Sequence, residues 1–158
     1  QVAETIARGT GAFEHGFTYT AHPVAMAAGL AVLDHAEENG LFARVAAAGE
    51  QLLRALEPLQ AVPIVGDIRG RGLLVGIELV KNRATRAPFP VPAKIADRVF
   101  EAAFEEGITT YPIQGCADGE SGDHILLAPP YIVSAEEISD LSGALERALA
   151  RVAKATRE

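Results

Sequence analysis

The chain has 158 residues, 49% hydrophobic and 22% charged, a globular profile that excludes an extended disordered polymer and is long enough for one real core. Acidic side chains outnumber basic ones 21 to 14 for a net charge of −7, which repels polyanions and excludes nucleic acid and anionic membrane as partners. Cys116 is the sole cysteine, so no internal disulfide can form and a reducing cytoplasm is the expected location, and no apolar run approaches the ~20 residues that cross a bilayer.

Residues 8–22, RGTGAFEHGFTYTAH, hold three glycines, three threonines and two histidines with no sustained period, which predicts an extended polar loop. Pro23 stands where a first helical turn would begin, and the alanine-rich run after it predicts a helix stopped by Asn39-Gly40. That run is apolar almost all round from Val24 to Leu33, so deep burial is expected. Leu41, Val45, Ala48, Leu52 and Leu56 recur at steps of three and four and predict a second helix closed by Pro58.

Ile64 and Val65 predict a short strand, RGRG a turn, and LLVGIELV an apolar strand rich in β-branched residues. Three prolines between 82 and 93 mark a loop. A helix is expected from Lys94 to Glu106 with Gly107 as its stop, then a short strand over Ile108–Tyr111. A glycine-rich loop over 112–123 precedes a last strand at His124–Ala128, broken by Pro129-Pro130. Ser134 followed three residues later by Glu137 is a capping box, which predicts a final helix. The order predicts an α+β fold, a small, mostly antiparallel sheet with helices packed on one face.

FEHGFTYTAHP, from Phe13 to Pro23, resembles a signature of the class III, fold-type I aminotransferases that use pyridoxal 5'-phosphate (PLP). GDIRGRGLLVGIELV, from Gly66 to Val80, resembles the first strands of that family's small C-terminal domain. GDHILLAPPYIVSAEEI, from Gly122 to Ile138, resembles its last strand and the start of the last helix. The ordered set covers nearly the whole chain. It implies that residues 1–40 are the end of a large domain, with a phosphate-contacting loop and a linking helix, and that 41–158 are the C-terminal small α/β domain.

A phosphate dianion needs hydroxyls and unpaired N–H groups, and the stretch from Gly16 to Tyr19 could supply both. The resemblance implies that Thr18 and the amide near Phe17 bind the PLP phosphate of a neighbouring subunit in a homodimer, so that active sites are shared. Without it, Thr18 and Thr20 read as turn threonines bonded to their own loop. His15 and His22 lack a third ligand of suitable spacing, so no metal is expected, and both look structural in the family. Arg69 and Arg71 either clamp an anion or shape a tight turn; Tyr19 and Arg71 are the substrate-pocket candidates. Asp123 and His124, adjacent on a strand, point to opposite faces and make poor acid–base partners.

Many relatives place an arginine for the substrate carboxylate near the last loop, and residues 114–123 contain none. That leaves room for an amine or ω-amino acid. Transamination needs a Schiff-base lysine and an acid beside the pyridine nitrogen, which in the family lie upstream of the FEHGFTY-like loop. The chain opens at Gln1 without an initiating methionine and holds only Lys81, Lys94 and Lys154, all read as solvent-exposed. Upstream residues are therefore expected, no catalytic residue is assigned here, and this piece alone is expected to be inert. The full-length reading is a PLP-dependent aminotransferase acting between an amine or amino acid and a keto acid or aldehyde. The alternatives are an aminomutase, racemase or decarboxylase of the same family, or a non-enzymatic α+β binding module.

Overall fold

The structure is a computed structural model that describes residues 1–12 and 15–156. Phe13 and Glu14, which begin the FEHGFTY motif, lie outside the described residues. The chain divides into two compact units, Gln1–Asn39 and Gly40–Glu158.

The first unit holds helix α1 (Val2–Arg8), which was not expected from the sequence, and helix α2 (Pro23–Glu38). Pro23 occupies the first turn of α2, where its missing N–H leaves no helical bond unmade. The expected burial of α2 is not found. Val24, Met26, Leu30 and Leu33 are 54% to 70% exposed and only Ala36 is buried. The apolar composition is real, but none of the described residues covers it.

The second unit is a four-stranded, wholly antiparallel sheet in the order β1-β2-β4-β3. Its strands are β1 (Val65–Arg71), β2 (Leu74–Leu79), β3 (Tyr111–Gln114) and β4 (Asp123–Leu127). On β2 and β4 alternate residues are buried, Val75, Ile77 and Leu79 facing the same side as Ile125 and Leu127, the period of two that a half-covered strand requires. Three helices cover that side. α3 (Leu41–Leu56) packs on β1, α4 (Ile95–Glu105) packs on β3 and β4, and α5 (Ala135–Ala155) runs along both α3 and α4. Leu52, Leu56, Ile95, Val99, Leu145 and Leu149 are fully buried and complete the core.

Two elements differ from expectation. β1 runs on to Arg71, so the first three residues of RGRG are strand and the turn is Gly72-Leu73. β3 starts at Tyr111 and includes Pro112; it is an edge strand, where proline's lost donor costs no ladder bond.

The hairpin turn is seated on α3 through two glycines. A Cβ on Gly49 would lie 2.4 Å from the Gly72 carbonyl oxygen, and Gly72 itself holds φ of 56°. Mid-helix glycine ordinarily costs about 1 kcal/mol against alanine, so its presence here reflects contact. Gly49→Ala is expected to lower stability, by about 1–3 kcal/mol as overpacked cores do, and denaturant unfolding will show whether the sign is negative.

The capping box of α5 forms in both directions. The Glu137 amide donates to Ser134 Oγ at 3.1 Å, and the Ser134 amide donates to Glu137 Oε2 at 2.7 Å. The donated Ser134 N–H holds the Glu137 carboxyl below its usual range. Its contribution is therefore complete above the ordinary carboxylate pKa and lost as pH falls through the lower folded value. Unfolding curves taken across acid pH should show this slope in the parent and not in Glu137→Gln.

Candidate functional site

The loop before α2 folds as two successive turns. The Thr20 amide donates to the Phe17 carbonyl at 2.9 Å and the His22 amide to the Tyr19 carbonyl at 3.2 Å. Ala21 lies between them at φ of 61°, a left-handed conformation that costs a residue with a Cβ on the order of 1–3 kcal/mol. His22 ends the loop as the N-cap of α2, its Nδ1 accepting from the Ala25 amide at 3.4 Å. Its ring meets that of Tyr19 edge-on with centroids 6.4 Å apart. Both contacts give His22 a structural place.

The two threonines separate. Thr20 Oγ1 accepts the Phe17 amide at 2.8 Å, so Thr20 serves its own loop and engages the Phe17 N–H. The Thr18 hydroxyl and amide make no hydrogen bond among the described residues, and Thr18 is exposed. Phe17 and Tyr19 are 71% and 74% exposed on either side of it. An exposed turn thus presents one hydroxyl and one N–H without partners among the described residues, donors suited to an anionic oxygen.

The uncovered face of the sheet holds the second set of candidates. Asp67 stands directly opposite Glu78 in the β1–β2 register, two like charges that would repel. Arg69 Nη1 resolves this by pairing with Asp67 Oδ2 at 2.9 Å and Glu78 Oε2 at 3.1 Å. The hydrogen bond to Asp67, then that to Glu78, raises the Arg69 pKa further. Arg69 is therefore neutralised within the sheet, whereas Arg71, two residues on and on the same face, is exposed and has no ion-pair partner among the described residues.

Asp123 and His124 diverge as strand geometry requires. His124 sits opposite Glu78 on the uncovered side, and Asp123 is 4% exposed beneath the helices. There Asp123 Oδ1 accepts the Ala96 amide of the first turn of α4 at 3.0 Å, a cap supplied from a strand. No sequence signal marks it, because the partners are 27 residues apart. In the loop between β3 and β4, Asp118 gathers the Glu120 and Ser121 amides and the Ser121 hydroxyl. Donation by the Ser121 amide, foremost, lowers its pKa. Burial pushes the Cys116 thiol up, which makes it a poor nucleophile. Lys81, Lys94 and Lys154 are all exposed. No cluster suited to a metal ion occurs among the described residues.

A fold of one small antiparallel sheet under three helices, preceded in sequence by a polar loop and a long helix, has close counterparts. The family model for class III aminotransferases matches residues 1–149, and the chain belongs to that family. An uncharacterized aminotransferase of Schizosaccharomyces pombe is 43% identical over 134 residues, 84% of this chain and 29% of that protein. The adenosylmethionine-8-amino-7-oxononanoate aminotransferase of Methanocaldococcus jannaschii is 36% identical over 85% of this chain and 28% of its own length. Among solved structures, an (S)-enantioselective omega-transaminase from Thermomicrobium roseum superposes with a TM-score of 0.82 at 35% identity, covering 96% of this chain and 32% of that one. A PLP-bound amine transaminase from an uncultivated Pseudomonas species gives 0.80 at 36% identity over 95% and 33%. The chain spans roughly a third of the length of the curated relatives it matches.

Removing Arg69 leaves Asp67 and Glu78 facing each other. Arg69→Ala is expected to destabilise the protein by about 1 kcal/mol, and adding Glu78→Gln to return most of that loss; thermal unfolding of both variants checks the pair.

Proposed function

We propose that the intact protein carrying this chain is a PLP-dependent aminotransferase that moves an amino group between an amine or amino acid and a keto acid or aldehyde. Membership of the class III family and the transaminase relatives support the reaction class. The observation that carries this chain's part in it is the unclaimed hydroxyl and amide of Thr18 on an exposed turn. When bound, PLP supplies an electron sink for the carbon bearing the transferred nitrogen.

The residues present fit such a group at its phosphate. Thr18 donates its hydroxyl and amide to phosphate oxygens, and Phe17, whose amide is held by Thr20, sets the turn that presents them. His22, by capping α2, anchors the same turn from its far end. Tyr19 forms part of the wall beside the substrate. Arg71, uncommitted on the open sheet face, attracts an anionic substrate group, while Arg69 is silenced by its two carboxylates. Residues 114–123 carry no arginine, which favours an amine or ω-amino acid as donor over an α-amino acid gripped at that loop. The Schiff-base lysine and the acid for the ring nitrogen belong to the part of the enzyme outside this chain, and the chain alone is inert. Thr18 serves the neighbouring subunit of a homodimer, as the family resemblance implies, and the lone cysteine favours a reducing cytoplasm as its location.

Thr18→Val in the intact protein should weaken PLP binding about ten-fold or more, the loss of a hydrogen bond to a charged group, while Thr18→Ser keeps most of it. Equilibrium dialysis of PLP measures both, and unchanged affinity in the valine variant contradicts the assignment. Incubating the holoenzyme with candidate amines and a keto acid, and assaying the aminated product, separates transfer from racemase, mutase or decarboxylase chemistry.

A further inference from the structure

A cavity of about 420 Å³ opens in the second unit between the loop after β2, the start of α4 and the end of α5. Its floor is core: Ile64, Phe89, Ile95 and Ala153 are each no more than 8% exposed. The size falls within the roughly 300–1,000 Å³ of small-molecule sites, and an apolar floor with a few polar groups is their usual build.

Among the described residues, two that line it are charged, and both are cations, Lys81 in the loop after β2 and Arg98 on α4. Neither side chain has an ion-pair or hydrogen-bond partner among the described residues. Arg54, Arg69, Arg147 and Arg151 each hold a carboxylate, whereas Lys81 and Arg98 keep their charge available in a chain of net charge −7. Glu101, one turn along α4 from Arg98, does not pair with it. Two free cations over an apolar floor complement an anion with an apolar body, and the low polarity of the floor strengthens their pull.

The walls are set in advance. The loop after β2 is closed by the Asn82–Ala87 bridge and by the Lys81 amide donating to the Ala87 carbonyl at 2.9 Å. Arg83 fastens it to the sheet by donating to the carbonyls of Val65, at 3.0 Å, and Gln60. Lys94, between the lining residues Ala93 and Ile95, is held at φ of 47°. Such strain in a non-glycine residue concentrates at functional positions.

We propose that this cavity binds a small carboxylate with a compact apolar body, its carboxylate between Lys81 and Arg98 and its apolar part on Phe89 and Ile95. The site does not depend on the aminotransferase reading. Nothing in the reaction proposed for Thr18 and Arg71 uses these residues.

The test is a fluorine NMR titration of the intact protein with para-fluorobenzoate, against para-fluorobenzamide as its uncharged isostere. Saturable binding of the acid is expected, with the amide about ten-fold weaker or worse. Lys81→Met combined with Arg98→Met should weaken the acid by a similar factor, and Thr156→Phe, which fills the cavity from the end of α5, should abolish its binding. All these positions are at least partly exposed, so the fold survives, as circular dichroism will verify. The proposal is overturned if no saturable binding occurs up to roughly 10 mM. It is equally overturned if acid and amide bind alike, or if either variant binds para-fluorobenzoate as the parent does.

Discussion

One-sided burial of the four-stranded sheet governs the second unit. Val75, Ile77, Leu79, Ile125 and Leu127 are buried under α3, α4 and α5, while the residues between them face the other way. Slipping either central strand by one residue would exchange the faces and bury Glu78 and His124 in place of isoleucines. The register is thus fixed by where apolar area can go. The buried carboxylate of Asp123 ties the arrangement together, because it caps α4 from the first residue of β4.

The uncovered face follows from the same constraint. Asp67, Arg69, Glu78 and Arg71 sit there because α3, α4 and α5 gather on the opposite side of the sheet. Arg69 cancels the repulsion of Asp67 and Glu78, which leaves Arg71 as the cation on that strand end free to meet another molecule. The exposed apolar residues of α2 make the complementary point in the first unit. Their composition is that of a covered helix, in a chain that spans roughly a third of its relatives' length.

Much of the fold was legible. Local signals were sufficient where structure is local: Pro23 began α2, Ser134 and Glu137 began α5, and the three- and four-residue spacing of Leu41 to Leu56 gave α3. The failures involve partners distant in sequence. β1 extends through Gly70 because it pairs with Val75, which no turn rule reveals. Pro112 falls in the expected loop over 112–123 because its edge-strand position is invisible in the sequence. The site was half legible for the same reason. FEHGFTY drew attention to the loop, yet that Thr20 holds the Phe17 amide, while Thr18 bonds to none of the described residues, depends on the turn's actual path. Likewise Arg71 is a candidate from the sequence, but only the register shows why Arg69 is not one, by putting it between two carboxylates.

The functional account rests on Thr18 facing an anionic oxygen that this chain does not contain. A crystal structure of the intact protein with PLP tests it most directly. The account predicts the Thr18 hydroxyl and amide within about 3 Å of phosphate oxygens, with the cofactor held by the neighbouring subunit. A phosphate bound entirely by other residues, with Thr18 turned to solvent or packed in an apolar interior, would contradict it.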